Sequence, residues 1–204
     1  TNTVTQVWAT GFNIQDVTTG AVEIGGLFGG ATAGTLNISK SWSSVSISTK
    51  APSVGSGGII GTNANVFGQT VTPTSSYNTL TISESYSVGN ILRDLPTGPS
   101  WYGNGGLIGV SYGYSTNISN SFTWGVVNAV GTSAGPPAVS TGGLVGVVWG
   151  SNTTISNVYT TGSTCVNTGT TGCTVNVVPG SVVTGFSTGL WSTINGASLA
   201  NLAP

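Results

Sequence analysis

The chain has 204 residues, of which 3 are Lys or Arg and 4 are Asp or Glu, with no His and no Met and a formal net charge of −1. General acid-base and metal chemistry lean on His, Asp, Glu and Cys, and with only Asp16, Glu23, Glu84 and Asp94 as acids an enzyme is a poor expectation. Three cations, Lys40, Lys50 and Arg93, cannot neutralise a run of phosphates, which argues against nucleic acid as a partner.

Gly, Ser and Thr together make 92 of the 204 residues. Gly is a poor helix former and Ser and Thr compete with the helix backbone, whereas Thr, Val, Ile and aromatics suit a pleated surface, so the composition points to strands. A hydrophobic content of 38% is enough to bury a core, and one domain is expected. No apolar run approaches the roughly 18 to 20 residues of a membrane helix; the longest, from Gly142 to Gly150, is half that and broken by Gly. A positive mean hydropathy of +0.26 with almost no net charge fits a chain that self-associates or carries sugars.

In chain order, residues 1–24 open with Thr3, Val4, Thr5, Gln6, Val7 and Trp8, an alternating stretch followed by Gly11. The chain begins at Thr1 without Met, which fits a removed leader or a piece of a longer chain. Residues 25–162 hold a repeat. A Gly-Gly-apolar-apolar-Gly element occurs as GGLFG at 25–29, GGIIG at 57–61, GGLIG at 105–109 and GGLVG at 142–146. Each is followed by an Ile, a polar residue two later and an aromatic two after that: Ile38-Lys40-Trp42, Ile82-Glu84-Tyr86, Ile118-Asn120-Phe122 and Ile155-Asn157-Tyr159. From the first apolar residue of the Gly-Gly element to the aromatic the spacing is 15, 27, 15 and 15, so one copy carries an insertion, placed between Thr62 and Thr79. The return from aromatic to the next Gly-Gly element varies, which suits loops such as Leu95 to Gly105 and Gly131 to Thr141.

Val4-Gln6-Trp8 has the same alternation, so the chain opens halfway through a repeat, and this strand is the candidate donor to another subunit. Residues 163–204 hold Cys165 and Cys173 in a Thr/Gly/Asn-rich loop, read as a disulfide of an oxidising compartment. A weaker fifth element, Gly180 to Gly185, follows, and then an apolar cap of Phe186, Leu190, Trp191, Ile194, Leu199 and Leu202. Sequons at Asn37, Asn117 and Asn152 agree with an exported chain that carries N-glycans.

Stacked equivalent strands build columns. One holds Val4, Ile38, Ile82, Ile118 and Ile155; a second holds Trp8, Trp42, Tyr86, Phe122 and Tyr159; between them run Gln6, Lys40, Glu84, Asn120 and Asn157. Strict period-2 alternation puts all three columns on one face, with Asn37, Ser39 and Ser41 on the other, and sets Lys40 beside Glu84 as a charge pair in a mostly apolar setting. The expected fold is an all-β, parallel β-helix or β-solenoid of about four to five degenerate repeats, with a β-sandwich or jelly roll as the alternative.

These motifs resemble the GLUG repeat, Gly-Leu-apolar-Gly followed by an Ile, an Asn and an aromatic-x-x-Gly segment, over about Trp8 to Gly162. Gly143-Leu144-Val145-Gly146 with Ile155, Asn157, Tyr159 and Gly162 is the closest copy, and Trp42-Ser43-Ser44-Val45 lacks the final Gly. The resemblance implies a right-handed parallel β-helix or related β-solenoid in secreted or surface-exposed proteins, often large adhesins. It implies a scaffold with no catalytic residues to carry over.

The expectation is therefore a non-enzymatic extracellular structural protein without cofactor, metal or membrane span, a subunit of a self-assembling filament, surface appendage or adhesin whose partner is a second copy of itself. The alternative is a module that binds surface glycans, or less readily ice, with Trp101, Tyr102, Tyr112 and Tyr114 as stacking rings. A further chemistry the columns allow is an isopeptide between Lys40 and an Asn such as Asn120, with Glu84 as proton shuttle.

Overall fold

The computed structural model describes residues 1–11, 13–16, 21–31, 34–50, 53–63, 79–94, 102–111, 115–130, 140–148, 152–160, 175–177 and 182–184. They form strands, with no helix among the described residues. The first repeat supplies β1 (Asn2–Thr5), β2 (Trp8–Ala9), β3 (Asn13–Asp16), β4 (Ala21–Gly25) and β5 (Phe28–Gly30). The second supplies β6 (Thr35–Ser39), β7 (Trp42–Ser43), β8 (Ser46–Thr49), β9 (Ser53–Gly57) and β10 (Ile60–Thr62). The third supplies β11 (Thr79–Ser83), β12 (Tyr86–Ser87), β13 (Ile91–Asp94), β14 (Tyr102–Gly105) and β15 (Ile108–Ser111). In the fourth, β16 (Ser115–Thr123) spans what are two strands elsewhere, followed by β17 (Val127–Val130), β18 (Ser140–Gly142) and β19 (Val145–Val148). After these come β20 (Asn152–Thr160), β21 (Val175–Val177) and β22 (Val182–Thr184).

Like strands of successive repeats pair with one another. β1, β6, β11, β16, β20 and β22, together with β2, β7 and β12, make one nine-stranded sheet; β3, β8, β13 and β17 make a second; β4, β9, β14 and β18 a third; β5, β10, β15, β19 and β21 a fourth. Every pairing is parallel. The antiparallel pairing of a β-sandwich or jelly roll is therefore not found among the described strands. The register sets Val4, Ile38, Ile82, Ile118 and Ile155 opposite one another, and does the same for Trp8, Trp42, Tyr86, Phe122 and Tyr159. Contacts between successive repeats join residues 34, 44, 36 and 37 apart. The longest step is the one that contains the expected insertion, whose residues 64–78 lie outside the described ones.

Three expectations are corrected. The return stretches are not loops throughout, because Tyr102–Gly105 and Ser140–Gly142 are strands of the third sheet. Their side chains alternate too briefly to announce a strand, and pairing to like strands in neighbouring repeats is what makes them one. The fifth Gly-Gly element is not Gly180 to Gly185. Val175 takes the place beside Val145, whereas Val182 pairs with Asn152 and so continues the nine-stranded sheet.

The third correction concerns phase. Gln6, Lys40, Glu84, Asn120 and Asn157 all have positive φ, between 48° and 56°. One left-handed residue breaks the two-residue alternation, so Ser41 and Ser43 face inward with Ile38, fully buried, while Lys40 is exposed and Trp42 lies on the other side of the strand. Ile, polar residue and aromatic therefore do not share one face.

Two apolar clusters result. Ile38, Ile82, Ile118 and Ile155 pack with Ile60, Ile108 and Val145 of the fourth sheet and with Ile59, Leu107 and Leu144 in the Gly-Gly turns. Ile24, Val45, Ile47, Ile91 and Val127 form a second, smaller cluster. The Gly-Gly turns press onto the inner side of β7 and β12: a Cβ on Gly58 would overlap both the Ser87 hydroxyl and the Gly106 carbonyl. The turn backbones are tied by shared acceptors, since Ile59 N and Ile60 N both donate to Leu107 O, at 2.9 and 3.0 Å.

Candidate functional site

Three surfaces carry the sequence-derived candidates. The first is the amino-terminal edge. Thr3, Val4 and Thr5 lie in β1, paired with Asn37, Ile38 and Ser39 of β6, and Trp8 in β2 pairs with Trp42. Gln6 N donates to Ser39 O and Val7 N to Ser41 Oγ, both at 3.2 Å. The segment is thus held along one side by β6 and β7 of its own chain. It is an edge: among the described residues β1 and β2 each pair on one side only, and Val7 and Trp8 are 41% and 51% exposed.

The second is the left-handed column. Its register is as expected, but it lies in solvent: Lys40 Nζ is 3.8 Å from Glu84 Oε2 with the two side chains 52% and 48% exposed, so the pair contributes at most about 1 kcal/mol. Further along, Asn157 Nδ2 donates to Asn120 Oδ1 at 3.1 Å. Glu84 stands between Lys40 and Asn120, so the geometry does not bring together the amine and amide that an isopeptide needs. Asn is tolerated in the left-handed region and a Lys or Glu there is uncommon.

Beneath that column a serine ladder satisfies the backbone where the left-handed residue interrupts strand pairing. Ser41, Ser85 and Ser121 each donate their hydroxyl to the carbonyl two residues earlier, at 2.7 to 2.8 Å. Each hydroxyl also accepts an amide from the preceding repeat: Val7 N to Ser41, Ser41 N to Ser85 and Ser85 N to Ser121, all at 3.2 Å. Ser85→Ala removes an acceptor from a buried N–H and a donor from a carbonyl, and is expected to cost about 1 to 3 kcal/mol, whereas Ser39→Ala on the outer side should be close to neutral. Urea unfolding midpoints of the two variants measure the difference.

The aromatic column is a stack: Trp42 and Tyr86 centroids are 5.4 Å apart at 3°, Tyr86 and Phe122 4.6 Å apart at 6°. Burial raises the Tyr86 phenol above its ordinary value of about 10. The neutral phenol is the form the fold favours, so its contribution is complete below pH 10 and is lost as pH climbs through the raised value. Unfolding midpoints should change little between pH 6 and 9 and fall above pH 10, together with late appearance of phenolate absorbance.

The third surface is the outer face of β1, β6, β11, β16 and β20. Its outward positions are Thr35, Thr79, Ser115 and Asn152; Thr3, Asn37, Thr81, Asn117 and Thr154; and Thr5, Ser39, Ser83, Ser119 and Ser156. All three sequons, Asn37, Asn117 and Asn152, fall here. Strand period places each Asn and the Ser or Thr two residues later on the same face, so a face built of Asn, Ser and Thr generates sequons by its own composition.

Sequence reasoning missed a fourth feature. Trp124 is 61% exposed, and Val88, Leu92 and Val126 are 38 to 40% exposed. Trp124 stands two residues past the aromatic, where the second repeat has Ser44; that contrast between equivalent positions was the available signal. Of the proposed stacking rings, Trp101, Tyr112 and Tyr114 lie outside the described residues, as does the Tyr102 side chain. Cys165, Cys173 and the apolar cap of 186–202 also lie outside them. Among the described residues no group of three His, Cys, Asp or Glu side chains could hold a metal ion, and no helix is long and apolar enough to cross a membrane. Comparisons with family models, with curated proteins and with solved structures found no match.

Proposed function

We propose that the chain is a β-solenoid of the GLUG-like kind that serves as a non-enzymatic extracellular structural protein, the subunit of a self-assembling filament or surface appendage. The observation that carries this reading is the amino-terminal edge. There β1 and β2 keep the in-register geometry of the internal strands, pair on one side only among the described residues, and expose Val7 and Trp8. A strand from a second copy added at this edge would repeat what each strand already does for the next. Such a contact joins two different surfaces and therefore propagates. The low charge favours it, since 7 charged residues in 204 provide little repulsion.

Electron microscopy of the natively isolated protein, beside its intact mass, tests the proposal. Filaments with a regular subunit repeat are expected, and Trp8→Lys, which places a charge on the edge, should abolish them while leaving the unfolding midpoint nearly unchanged. Dispersed particles from the wild-type protein would overturn the reading.

A further inference from the structure

We propose that the corner formed by Val88, Asn90, Leu92, Trp124 and Val126 is a binding site for a neutral saccharide, with the Trp124 indole as the stacking platform and the Asn90 carboxamide as the hydrogen-bond donor. This lies on the side of the chain and is independent of assembly at the edge.

The site exists because the third and fourth repeats depart from the second at three outward positions. Val88 and Trp124 stand where the second repeat has Ser44, Val126 where it has Ser46, and Leu92 where it has Ser48. The substitutions are contiguous across two neighbouring repeats. They turn a polar corner into an apolar one centred on a ring that is 61% exposed. Exposed aromatics over a rigid backbone are how apolar C–H faces are gripped at low entropic cost. The backbone here is fixed, since a Cβ on Gly125, between Trp124 and Val126, would overlap the Gly89 carbonyl.

Asn90 supplies the polar half. Its Oδ1 accepts from Val126 N at 2.9 Å and its own N donates to Ser46 Oγ at 3.1 Å. With the oxygen so held by Val126, which is two residues past Trp124, the carboxamide NH2 is left as a donor beside the apolar ground. An apolar ring face flanked by a fixed donor matches a pyranose, which has an apolar C–H face and hydroxyls at its rim. Val88, Asn90, Leu92, Trp124 and Val126 are all uncharged, which favours a neutral sugar over an acidic one. The apolar ground is one indole and three aliphatic side chains, small beside the roughly 800 Å² per partner that a stable protein interface covers.

The test is binding of the full chain to immobilised neutral oligosaccharides of glucose, N-acetylglucosamine, galactose and mannose. Retention on at least one is expected, with affinity reduced tenfold or more in Trp124→Ala, kept within about threefold in Trp124→Tyr, and unaffected by Trp8→Lys. Because Trp124 is largely exposed, the unfolding midpoint of Trp124→Ala should match wild type, which separates lost binding from lost fold. No retention on any of the four, or equal retention by Trp124→Ala, would overturn the proposal. So would a Trp124→Ala protein that loses only self-association, which would mark the corner as a protein contact. Filaments without sugar binding, or sugar binding without filaments, would distinguish failure of this inference from failure of the assembly reading.

Discussion

Gly57→Ala is expected to destabilise the chain by about 3 kcal/mol or more, and at that size to prevent accumulation of folded protein. Gly57 is the first residue of a Gly-Gly turn. A methyl group there would overlap the Ile60 carbonyl of its own turn and lie 2.6 Å from Gly109 N and 2.7 Å from Leu107 O of the next repeat. All three are backbone atoms, so no side-chain rotation relieves the overlap. Relief would have to move a turn whose amides share the Leu107 carbonyl as acceptor, and the displacement would reach the next repeat, where Gly105 is held in the same way against Ile108 O and Gly146 N. Far-ultraviolet circular dichroism and a urea titration of the purified variant measure the effect. A midpoint within the error of wild type would show that the turns are looser than described.

Ile82→Ala is the second large effect, expected at about 3 to 5 kcal/mol from the usual cost of truncating a buried Ile with little room to collapse. Ile82 is 0% exposed and lies between Ile38 and Ile118, each 1% exposed or less, in the larger cluster. Neighbours above and below are fixed by strand pairing at a spacing of about 4.8 Å, so the column cannot close over the missing atoms. Thr81→Ala, one residue away on the outer face, should shift stability by no more than about 0.5 kcal/mol. Equilibrium unfolding of the pair gives the comparison directly, and similar costs for the two would mean that the inward and outward sides of this strand are wrongly assigned.

The columns are legible in the sequence because their residues repeat. Ile at one position and an aromatic four later recur at spacings constant enough to align, and the register follows that alignment from Val4 to Tyr159. The Gly-Gly turns are legible for a related reason, since a close backbone approach leaves no alternative residue. The second and third sheets are not. Ser46–Thr49 and Ser53–Gly57 are short, differ from their counterparts in other repeats, and become strands through partners tens of residues distant. Val182–Thr184 misleads for the converse reason, its Gly-Ser-Val-Val-Thr-Gly context resembling a turn while its pairing is with β20.

By itself the sequence determined an all-β chain of stacked equivalent strands, the identity of its apolar and aromatic columns, and the adjacency of Lys40 and Glu84. Those properties depend on residue type and spacing, which a linear chain records. Only the tertiary structure decided which side of the strand each column occupies, because one left-handed residue per repeat reverses the alternation and φ is not written in residue identity when Gln, Lys, Glu and Asn all adopt it. It alone decided that the amino-terminal strand is paired within the chain, and that Trp124 stands exposed among apolar neighbours. Exposure is a property of what packs around a residue, and here those neighbours come from other repeats.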